Sequence, residues 1–205
     1  MRVALYGGAF DPIHYGHLDL AQNALKALSL DYVIFMPTWQ SPHKPQNRVS
    51  CTDRIAMCHL AVEPYSEFVV STLEVDNHIT YTVDTLLALH EQNSSVAWTL
   101  LLGEDVFLSL PHWKGFQTIC TLAQIAVSRR ATGSLQFEST MKRLYASGIH
   151  PKILKEIPPA VSSSQIRDRI AAGQSVSELM PNCVCQYIRT HQLYVSEGKN
   201  FEPEC

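Results

Sequence analysis

Several features that would assign this chain to a familiar class of protein are missing from its sequence. It contains no apolar run long enough to cross a lipid bilayer. Its formal net charge of -3 lacks the excess of lysine and arginine that is typical of proteins that bind nucleic acid polymers. The chain begins directly with a short apolar run, without the pattern of a secretory leader. We therefore expect a cytoplasmic protein that binds neither nucleic acid nor a membrane.

The motifs of several enzyme classes are missing as well. There is no His-Glu-x-x-His zinc pattern, no Gly-x-x-x-x-Gly-Lys-Ser/Thr phosphate loop and no Gly-x-Ser-x-Gly nucleophile turn. The six cysteines include no Cys-x-x-Cys pair, which favours free thiols or small core residues over a metal site. These absences argue against a zinc enzyme, a P-loop nucleotide hydrolase and a serine hydrolase.

Apolar runs typical of strands alternate with segments whose apolar residues recur at helical spacing. Strands are predicted at residues 3–5, 32–36, 68–75, 96–102, 125–127 and 153–157. Helices are predicted at residues 19–28, 52–61, 81–91, 105–110, 117–122, 139–146, 165–172 and 175–192, the last with an interruption at Pro181. This alternation predicts an α/β fold: a Rossmann-like, doubly wound parallel sheet with helices on both faces.

The length of 205 residues fits a single domain. We place this domain at residues 1–195 and expect the polar residues 196–205 to form a disordered tail. Residues 131–150 are poorly patterned, and we expect a loop and one irregular helix there. Thr52 or Asp53, and Thr82, are the predicted N-cap residues of their helices.

Glycines and histidines surround the junction between the first strand and the first helix. Gly7 and Gly8 end the strand, and glycine allows a phosphate group to approach the backbone closely. His14 and His17 lie where the helix begins, and the unpaired N–H groups of a helix start favour anions. On one helical turn the two imidazoles share a face, so both can donate hydrogen bonds to one triphosphate. An ordinary turn, a metal-binding pair and two structural histidines are the alternatives.

A second candidate anion site lies at a later helix start. Ser162, Ser163 and Ser164 supply hydroxyl and N–H groups there. Arg167, one turn into the helix, can add a charge-assisted contact to phosphate. The alternative is an N-cap serine followed by a surface arginine. Because both helix starts occur in one chain, we expect the helices from about residue 162 to complete an ATP site.

Polar residues also follow other predicted strands, at the edge where open α/β sheets bind ligands. Lys44 lies in the loop after the second strand, and Gly103 and Asp105 follow the strongest strand pattern. Trp113 comes next, close to Pro111. A solvated surface charge is the alternative for Lys44, and a packing role is the alternative for Trp113.

These residues predict in-line phosphoryl transfer, in which positioning and charge neutralisation provide most of the catalysis. A substrate phosphate would attack the α-phosphorus of ATP and displace pyrophosphate. The residues expected to stabilise the developing negative charge are His14, His17, Lys44 and Arg167. We expect Mg2+ to be carried by ATP and pyrophosphate, because no dedicated carboxylate site is evident in the sequence.

The string His14-Tyr15-Gly16-His17 resembles the T/HxGH signature of the nucleotidyltransferase superfamily. Across nearly the whole chain, the motifs are similar to those of the bacterial nicotinate-nucleotide adenylyltransferases. These motifs are Gly7-Gly8-Ala9-Phe10-Asp11-Pro12, Ser41-Pro42-His43-Lys44, Tyr81-Thr82, Gly103-Glu104-Asp105, Pro111-x-Trp113, Arg129-Arg130 and Ser162-Ser163-Ser164-x-Ile166-Arg167. The resemblance implies adenylyl transfer from ATP to nicotinate mononucleotide, giving deamido-NAD and pyrophosphate in NAD biosynthesis.

The resemblance also implies two groups of binding residues. ATP is expected to contact Gly7, Gly8, Ala9, Phe10, His14, His17, Gly103, Asp105, Ser162, Ser163, Ser164 and Arg167. Nicotinate mononucleotide is expected to contact Gly8, Lys44, Tyr81, Thr82, Val83, Trp113, Lys114 and Arg130. The nicotinate ring is expected to stack on Trp113. The expected partners are these small molecules, with no metal ligand from the protein, and the chain is expected to be a monomer or homodimer.

Three positions depart from the family pattern. Ala9 stands where Thr or Ser is common, Lys114 stands where an aromatic residue is common, and Arg130 is followed by Ala-Thr-Gly in place of Pro-Gly. The alternatives left open are an adenylyltransferase for nicotinamide mononucleotide or phosphopantetheine and a non-catalytic nucleotide-binding protein. Asp19 fits the phosphopantetheine enzymes, whereas the Tyr-Thr and Pro-x-Trp motifs do not.

Overall fold

Six parallel strands form the central sheet within the described residues, in the order β3-β2-β1-β4-β5-β6. The computed structural model describes residues 1–40, 47–129, 134–155 and 161–195. The strands are β1 Arg2–Gly8, β2 Tyr32–Pro37, β3 Phe68–Val70, β4 Ala97–Gly103, β5 Ala123–Ser128 and β6 Lys152–Leu154. Continuous apolar runs form the central strands, as expected for parallel strands buried on both faces. The predicted parallel sheet is confirmed.

Helices connect the strands and pack against the sheet. They are α1 Tyr15–Ala27, α2 Cys51–Val62, α3 Leu73–Asp76, α4 Thr82–Gln92, α5 Glu104–Ser109, α6 Phe116–Leu122, α7 Leu135–Ala146, α8 Ser163–Ala171 and α9 Asn182–Thr190. A short 3-10 helix, Leu110–His112, lies between α5 and α6. Among the described parts of the chain, no helix has the length and apolar character needed to cross a membrane.

The two faces of the sheet bury separate groups of apolar side chains. Ala4 and Tyr6 of β1 belong to one group, together with buried residues of α1, α2, α8 and α9. Val3 and Leu5 belong to the other group, together with buried residues of α4, α5, α6 and α7. Successive side chains of a strand point to opposite faces, so β1 contributes to both groups. The predicted doubly wound architecture, with helices on both faces, is confirmed.

Strands β1 and β4 separate toward their carboxyl ends. Their pairing ends at Leu5 and Leu100. Beyond that point β1 stays paired with β2 as far as Gly8, and β4 stays paired with β5 as far as Gly103. The strand order reverses between β1 and β4, and open α/β folds bind ligands in the crevice at such a switch point. The fold therefore places a crevice between the two glycine-containing strand ends.

The strand predicted at residues 68–75 is wrong beyond Val70. β3 ends there, where its pairing with β2 also ends, and Leu73–Asp76 forms α3. The local pattern favours a strand, but Glu74 turns inward and its carboxylate accepts a hydrogen bond from the Thr85 hydroxyl at 2.8 Å. The local pattern therefore does not determine the structure of residues 73–76.

The helix predicted at residues 175–192 is shorter than expected. Only Asn182–Thr190 is helical, and Pro181 is its N-cap residue. The residue before a proline disfavours helical backbone, so the helix begins after Pro181. The non-helical segment before it contacts the first helix, because the carbonyl oxygen of Leu179 accepts a hydrogen bond from the N–H of Tyr15 at 3.0 Å.

The helix in the poorly patterned region is regular and longer than predicted. α7 follows Ser134, whose hydroxyl oxygen accepts a hydrogen bond from the N–H of Phe137 at 3.2 Å. Phe137, Met141 and Leu144 recur at helical spacing and are buried. A capped start and a narrow apolar face are sufficient to form this helix.

The predicted N-cap residues of two helices are also wrong. Ser50, rather than Thr52 or Asp53, caps α2, and its hydroxyl oxygen accepts a hydrogen bond from the Asp53 N–H at 3.1 Å. Tyr81, rather than Thr82, occupies the N-cap position of α4. The N-cap moves by two or three residues in α2 and by one residue in α4, which is the scale on which helix ends are ambiguous.

Four cysteines are free thiols, as predicted: Cys51, Cys58, Cys120 and Cys183. Cys58 is buried among apolar side chains, and burial raises the pKa of its thiol. A buried neutral thiol of this kind contributes packing and is not a nucleophile.

Glu74 is a carboxyl group buried away from any cationic partner in the described residues. It is 6% exposed, and burial raises its pKa from 4.5 to about 7, with the Thr85 hydrogen bond opposing the shift. The folded state therefore binds this proton more tightly than the unfolded chain does. Its contribution to stability is complete below about pH 4.5 and is lost as the pH rises through about 7.

We predict that Glu74→Gln removes this pH dependence. Glutamine keeps a carbonyl oxygen that can accept the Thr85 hydrogen bond, but it has no charge to bury. As the pH rises from about 5 to about 8, the wild type loses stability from burying the ionised carboxylate and the variant does not. The free energy of unfolding of the variant, relative to that of the wild type, should therefore increase by on the order of 3 kcal/mol over this range. Urea denaturation across this range measures the difference. A difference that stays constant with pH would show that Glu74 does not titrate in this way.

Candidate active site

The loop that joins β1 to α1 is anchored by a buried aromatic side chain. Phe10 has a φ of 48°, in the left-handed region, and its side chain is buried. Its ring contacts those of Tyr6, Phe35 and His17, with centroid separations of 5.5, 5.6 and 5.1 Å. Because the ring points into the core, only the backbone of Phe10 can face a ligand. Packing of this ring maintains a backbone conformation that is otherwise unfavourable.

His14 and His17 lie together at the start of α1, as predicted. His14 is the N-cap residue and His17 is in the first turn. Their rings are stacked, with centroids 3.7 Å apart and an interplanar angle of 24°. The backbone N–H of His14 donates to Nδ1 of His17 at 3.2 Å. Since Nδ1 accepts this bond, the ring proton of neutral His17 lies on Nε2, which makes Nε2 a hydrogen-bond donor.

His14 is neutral at physiological pH. It is 5% exposed, and burial lowers its pKa from 6.5 to about 4. Its Nδ1 is buried without a hydrogen-bond partner in the described part of the chain. Desolvation disfavours the charged imidazolium. His14 can therefore bind an anion as a hydrogen-bond donor, and the positive charge of the site has to come from other residues.

The start of α8 packs directly against the β1–α1 loop. The hydroxyl of Ser163 donates to the carbonyl oxygen of Pro12 at 2.9 Å. The guanidinium of Arg167 donates to the carbonyl oxygen of Asp11 at 2.6 Å and to the hydroxyl of Ser164 at 3.0 Å. The two predicted anion-binding helix starts are thus brought together, although more than 150 residues separate Pro12 from Ser163.

The three serines of α8 have different contacts. Ser162 is the N-cap residue, and its hydroxyl oxygen accepts a hydrogen bond from the Gln165 N–H at 3.2 Å. Ser163 is used to position the loop, as described above. Ser164 is exposed and contacts the Arg167 guanidinium. Ser162 therefore has the N-cap role that was the alternative to phosphate binding. Ser164 and Arg167 form a polar pair at the surface of the helix.

Arg54 is a buried residue of this region that the sequence analysis did not identify. Its side chain is fully buried, and its guanidinium donates to the carbonyl oxygens of Ala9 and Thr38, both at 2.7 Å. These carbonyls follow β1 and β2, so Arg54 ties the ends of the two strands together. The signal in the sequence was the position of Arg54 on the same helical face as Met57, Cys58 and Ala61.

The glycines at the strand ends differ in the space around them. A Cβ atom at Gly7 or Gly103 would meet no other atom within 4 Å, whereas one at Gly8 would lie 3.0 Å from Cζ of Phe10. Gly7 and Gly103 therefore border open space at the ends of β1 and β4. Asp105, in the first turn of α5, is exposed close to this strand end.

The residues predicted for the second substrate form another cluster. The ammonium of Lys114 lies 4.3 Å from the centroid of the Tyr81 ring and 3.3 Å from a carboxylate oxygen of Asp84. Gly115, with a φ of 66°, packs so closely against Val83 that a Cβ would lie 2.8 Å from Cγ2 of that valine. The starts of α4 and α6 are therefore held side by side. The side chain of Val83 is buried, so only its backbone is available to a ligand.

Trp113 is half-buried and borders this cluster. Its indole N–H donates to the hydroxyl of Ser109 at 3.0 Å, which fixes the orientation of the ring. Thr82, the first residue of α4, is half-buried. Helices of a parallel α/β fold begin at the carboxyl edge of the sheet, so this cluster lies at the same edge as the histidines. Lys44 and Arg130 lie outside the described residues.

Comparison with known proteins identifies the family. The cytidylyltransferase-like family model matches residues 5–169. A curated protein of Herpetosiphon aurantiacus, named "Probable nicotinate-nucleotide adenylyltransferase", is 34% identical over 196 residues, which cover 95% of this chain and 99% of the relative. The chain belongs to the nicotinate-nucleotide adenylyltransferase family. A member of the same name from Desulfitobacterium hafniense is 38% identical over 197 residues, covering 94% of this chain and 95% of that protein.

Solved structures of similar fold carry related names. The structure of Plasmodium falciparum nicotinic acid mononucleotide adenylyltransferase in complex with NaAD has a TM-score of 0.78 and 17% identity, and covers 94% of this chain and 97% of that one. The same Plasmodium falciparum protein in complex with APC has a TM-score of 0.74. At this identity the likeness concerns the fold, and it agrees with the Rossmann-like assignment. This chain therefore shares its fold with these two structures.

We predict that alanine at Gly7 and at Gly8 has different effects. Gly7→Ala adds a methyl group to open space, so the free energy of unfolding should change by less than about 1 kcal/mol. The same methyl group narrows the crevice, and the affinity for ATP should fall by about tenfold or more. Thermal denaturation and calorimetric ATP titration measure the two quantities.

Gly8→Ala is the matched comparison. Its methyl group meets the buried Phe10 ring, so the variant should lose about 1 to 3 kcal/mol of stability through overpacking. Equal stability losses in the two variants would contradict the geometry at Gly7. Unchanged ATP affinity in Gly7→Ala would remove this glycine from the predicted ATP contacts.

Proposed function

We propose that this protein transfers the adenylyl group of ATP to nicotinate mononucleotide, giving deamido-NAD and pyrophosphate, a reaction of NAD biosynthesis. The observation that carries this proposal is the family membership, with relatives of that name at 34% and 38% identity that match along nearly their whole length. The clustering of His14, His17 and Arg167 at one edge of the sheet supports it, because this arrangement suits a phosphorylated ligand.

The reaction requires binding and orientation more than proton transfer. An oxygen of the nicotinate mononucleotide phosphate forms a bond to the α-phosphorus of ATP. The bond from that phosphorus to the oxygen bridging to the β-phosphorus breaks, and its electron pair leaves with pyrophosphate. The attacking phosphate is largely ionised at neutral pH, since its second pKa is about 6, so no general base is needed. The substrate phosphate is itself the nucleophile, so the protein needs to supply hydrogen-bond donors and cationic side chains but no nucleophilic side chain.

The proposed roles at the ATP site follow from protonation states and contacts. His17 donates a hydrogen bond from Nε2 to a phosphate oxygen, because its Nδ1 is occupied by the backbone of His14. His14 binds as a neutral group, since burial lowers its pKa to about 4. Arg167 contributes a positive charge that stabilises the developing negative charge on the leaving pyrophosphate. Lys44 is proposed as a second cation on the strength of its motif alone.

Mg2+ is proposed to be held by the phosphate oxygens of ATP and pyrophosphate. The donors around the β1–α1 loop are imidazole, guanidinium, hydroxyl and backbone N–H groups, which do not suit Mg2+. In the described ranges, no group of three or more His, Cys, Asp or Glu side chains is arranged to hold a metal ion. When bound to these phosphates, the ion would neutralise part of their charge. Cytoplasmic location and a monomer or homodimer remain predictions from the sequence.

The acceptor is proposed to bind at the starts of α4 and α6. The N–H groups at the start of α4, near Thr82 and Val83, suit the nicotinate carboxylate. The oriented indole of Trp113 suits stacking with the pyridine ring. Lys114 is held by Asp84, which reduces the charge it can offer a ligand, so its proposed contribution is through the backbone.

The function is tested by measuring pyrophosphate release from ATP and Mg2+ with different acceptors. We expect rapid release with nicotinate mononucleotide, and kcat/KM at least about tenfold lower with nicotinamide mononucleotide, because N–H donors select a carboxylate over an amide. Phosphopantetheine should give no release above background. A preference for phosphopantetheine, or no turnover with any acceptor, would replace the proposal with one of the alternatives.

The role of His17 is tested by replacement with alanine. We expect His17→Ala to lower kcat by about 100-fold or more, because it removes a donor to charge that develops during the transfer. His59→Ala is the control, since His59 is exposed on α2, and its activity should match the wild type. Circular dichroism and thermal denaturation establish that both variants fold. Near-normal kcat in His17→Ala would refute this role.

A further inference from the structure

Tyr194 connects the end of the described chain to the β1–α1 loop. Its hydroxyl donates a hydrogen bond to Oδ1 of Asp11 at 2.7 Å, across a separation of 183 residues. The Tyr194 side chain is half-buried. Burial raises the pKa of its phenol, and the Asp11 carboxylate raises it further. The hydroxyl therefore remains protonated at working pH and acts as the donor.

The backbone beyond α9 is folded so that Tyr194 reaches the loop. The N–H of Leu193 donates to the carbonyl oxygen of Ile188 at 3.0 Å, which closes the helix end. Gln192 and Tyr194 have φ values of 49° and 64°, in the left-handed region that non-glycine residues rarely adopt. Such conformations persist where surrounding contacts determine them. The position of Tyr194 is therefore imposed by its contacts.

Asp11 is the central residue of this contact. It is 5% exposed, and its Oδ2 accepts a hydrogen bond from the N–H of Arg48 at 2.9 Å. Its carbonyl oxygen accepts from the guanidinium of Arg167 at 2.6 Å. Asp11 thus joins four parts of the chain: the β1–α1 loop, the segment before α2, the start of α8 and the segment after α9.

The carboxylate of Asp11 and the guanidinium of Arg167 are not paired, although Arg167 donates to the backbone carbonyl of the same aspartate. Tyr194 and the Arg48 backbone occupy the two carboxylate oxygens. Among the ion pairs of the described residues, none includes Asp11. Arg167 instead donates to a backbone carbonyl and to Ser164, neither of which carries a charge. The positive charge of Arg167 is therefore left for an anionic ligand.

We propose that Tyr194 is a positioning residue for the triphosphate of ATP. By holding the Asp11 carboxylate, it keeps the β1–α1 loop in place and prevents that carboxylate from forming an ion pair with Arg167. A buried carboxylate oxygen without its donor has to find another partner, and the Arg167 guanidinium already donates to the backbone of Asp11. Loss of the Tyr194 hydroxyl would thus withdraw Arg167 from the phosphates. This inference depends on the proposed function, because it assumes that ATP binds at this loop.

The test is Tyr194→Phe, which removes only the hydroxyl. We expect the dissociation constant for ATP, measured by calorimetry, to rise about tenfold, the factor that corresponds to the loss of one hydrogen bond to a charged group. Affinity for AMP, which lacks the β- and γ-phosphates, should change less than twofold. A purely structural role would weaken both ligands equally, and that outcome would overturn the proposal.

Tyr187→Phe is the matched control. The Tyr187 hydroxyl also donates to a carboxylate, Oδ1 of Asp53 at 3.1 Å, but it joins α9 to α2 away from the loop. Its ATP affinity should match that of the wild type. If the wild type itself binds no ATP, the proposed function fails. If the wild type binds ATP and Tyr194→Phe binds it equally well, only the role of Tyr194 fails.

A double-mutant cycle with Asp11→Asn tests the reason for the effect. Asparagine keeps one of the two acceptor oxygens of Asp11 and carries no charge, so it cannot form an ion pair with Arg167. In the Asp11→Asn background, Tyr194→Phe should therefore change ATP affinity by less than about twofold. The same tenfold loss in both backgrounds would contradict the proposed ion pairing.

Discussion

The candidate site depends on three carbonyl oxygens of the β1–α1 loop, each bonded to a side chain from another part of the chain. Arg54 donates to Ala9, Arg167 to Asp11 and Ser163 to Pro12. In a trans peptide the carbonyl and the following N–H point in opposite directions. The bond to Ala9 therefore turns the N–H of Phe10 away from Arg54. Binding of anions by backbone N–H groups requires this kind of fixed orientation.

In this arrangement, some residues supply oriented hydrogen-bond donors and others supply positive charge. The histidines are oriented by the helix start, and burial keeps His14 neutral. Arg54 contributes its charge from beneath the loop, and Arg167 contributes its charge at the surface of α8. A transfer that moves no proton needs donors and cations fixed before the substrate arrives, because their reorganisation would otherwise add to the barrier.

The parallel sheet, most of its strands and the placement of the two histidines at a helix start were predictable from the sequence because they depend on local patterns. Apolar runs predict buried strands. Glycine, serine and histidine at strand ends and helix starts predict the edge of the sheet at which a phosphorylated ligand binds. The contacts that shape the site were not predictable in this way. Arg54 on an otherwise apolar helix face, and the Asp11–Tyr194 bond, depend on which segments meet in three dimensions. Residues 73–76 show the same limit, since they form a helix where the local pattern favours a strand, and the buried Glu74–Thr85 contact in this helix joins segments that the pattern does not relate.

A crystal structure with a non-hydrolysable ATP analogue tests the central claim most directly. The account predicts that the triphosphate lies between the starts of α1 and α8. Its oxygens should be within hydrogen-bond distance of Nε2 of His17 and the guanidinium of Arg167. The hydrogen bonds that the loop carbonyl oxygens accept should be unchanged. An analogue bound elsewhere, or a loop that releases Ala9 and Asp11 from their arginines when the analogue binds, would contradict it.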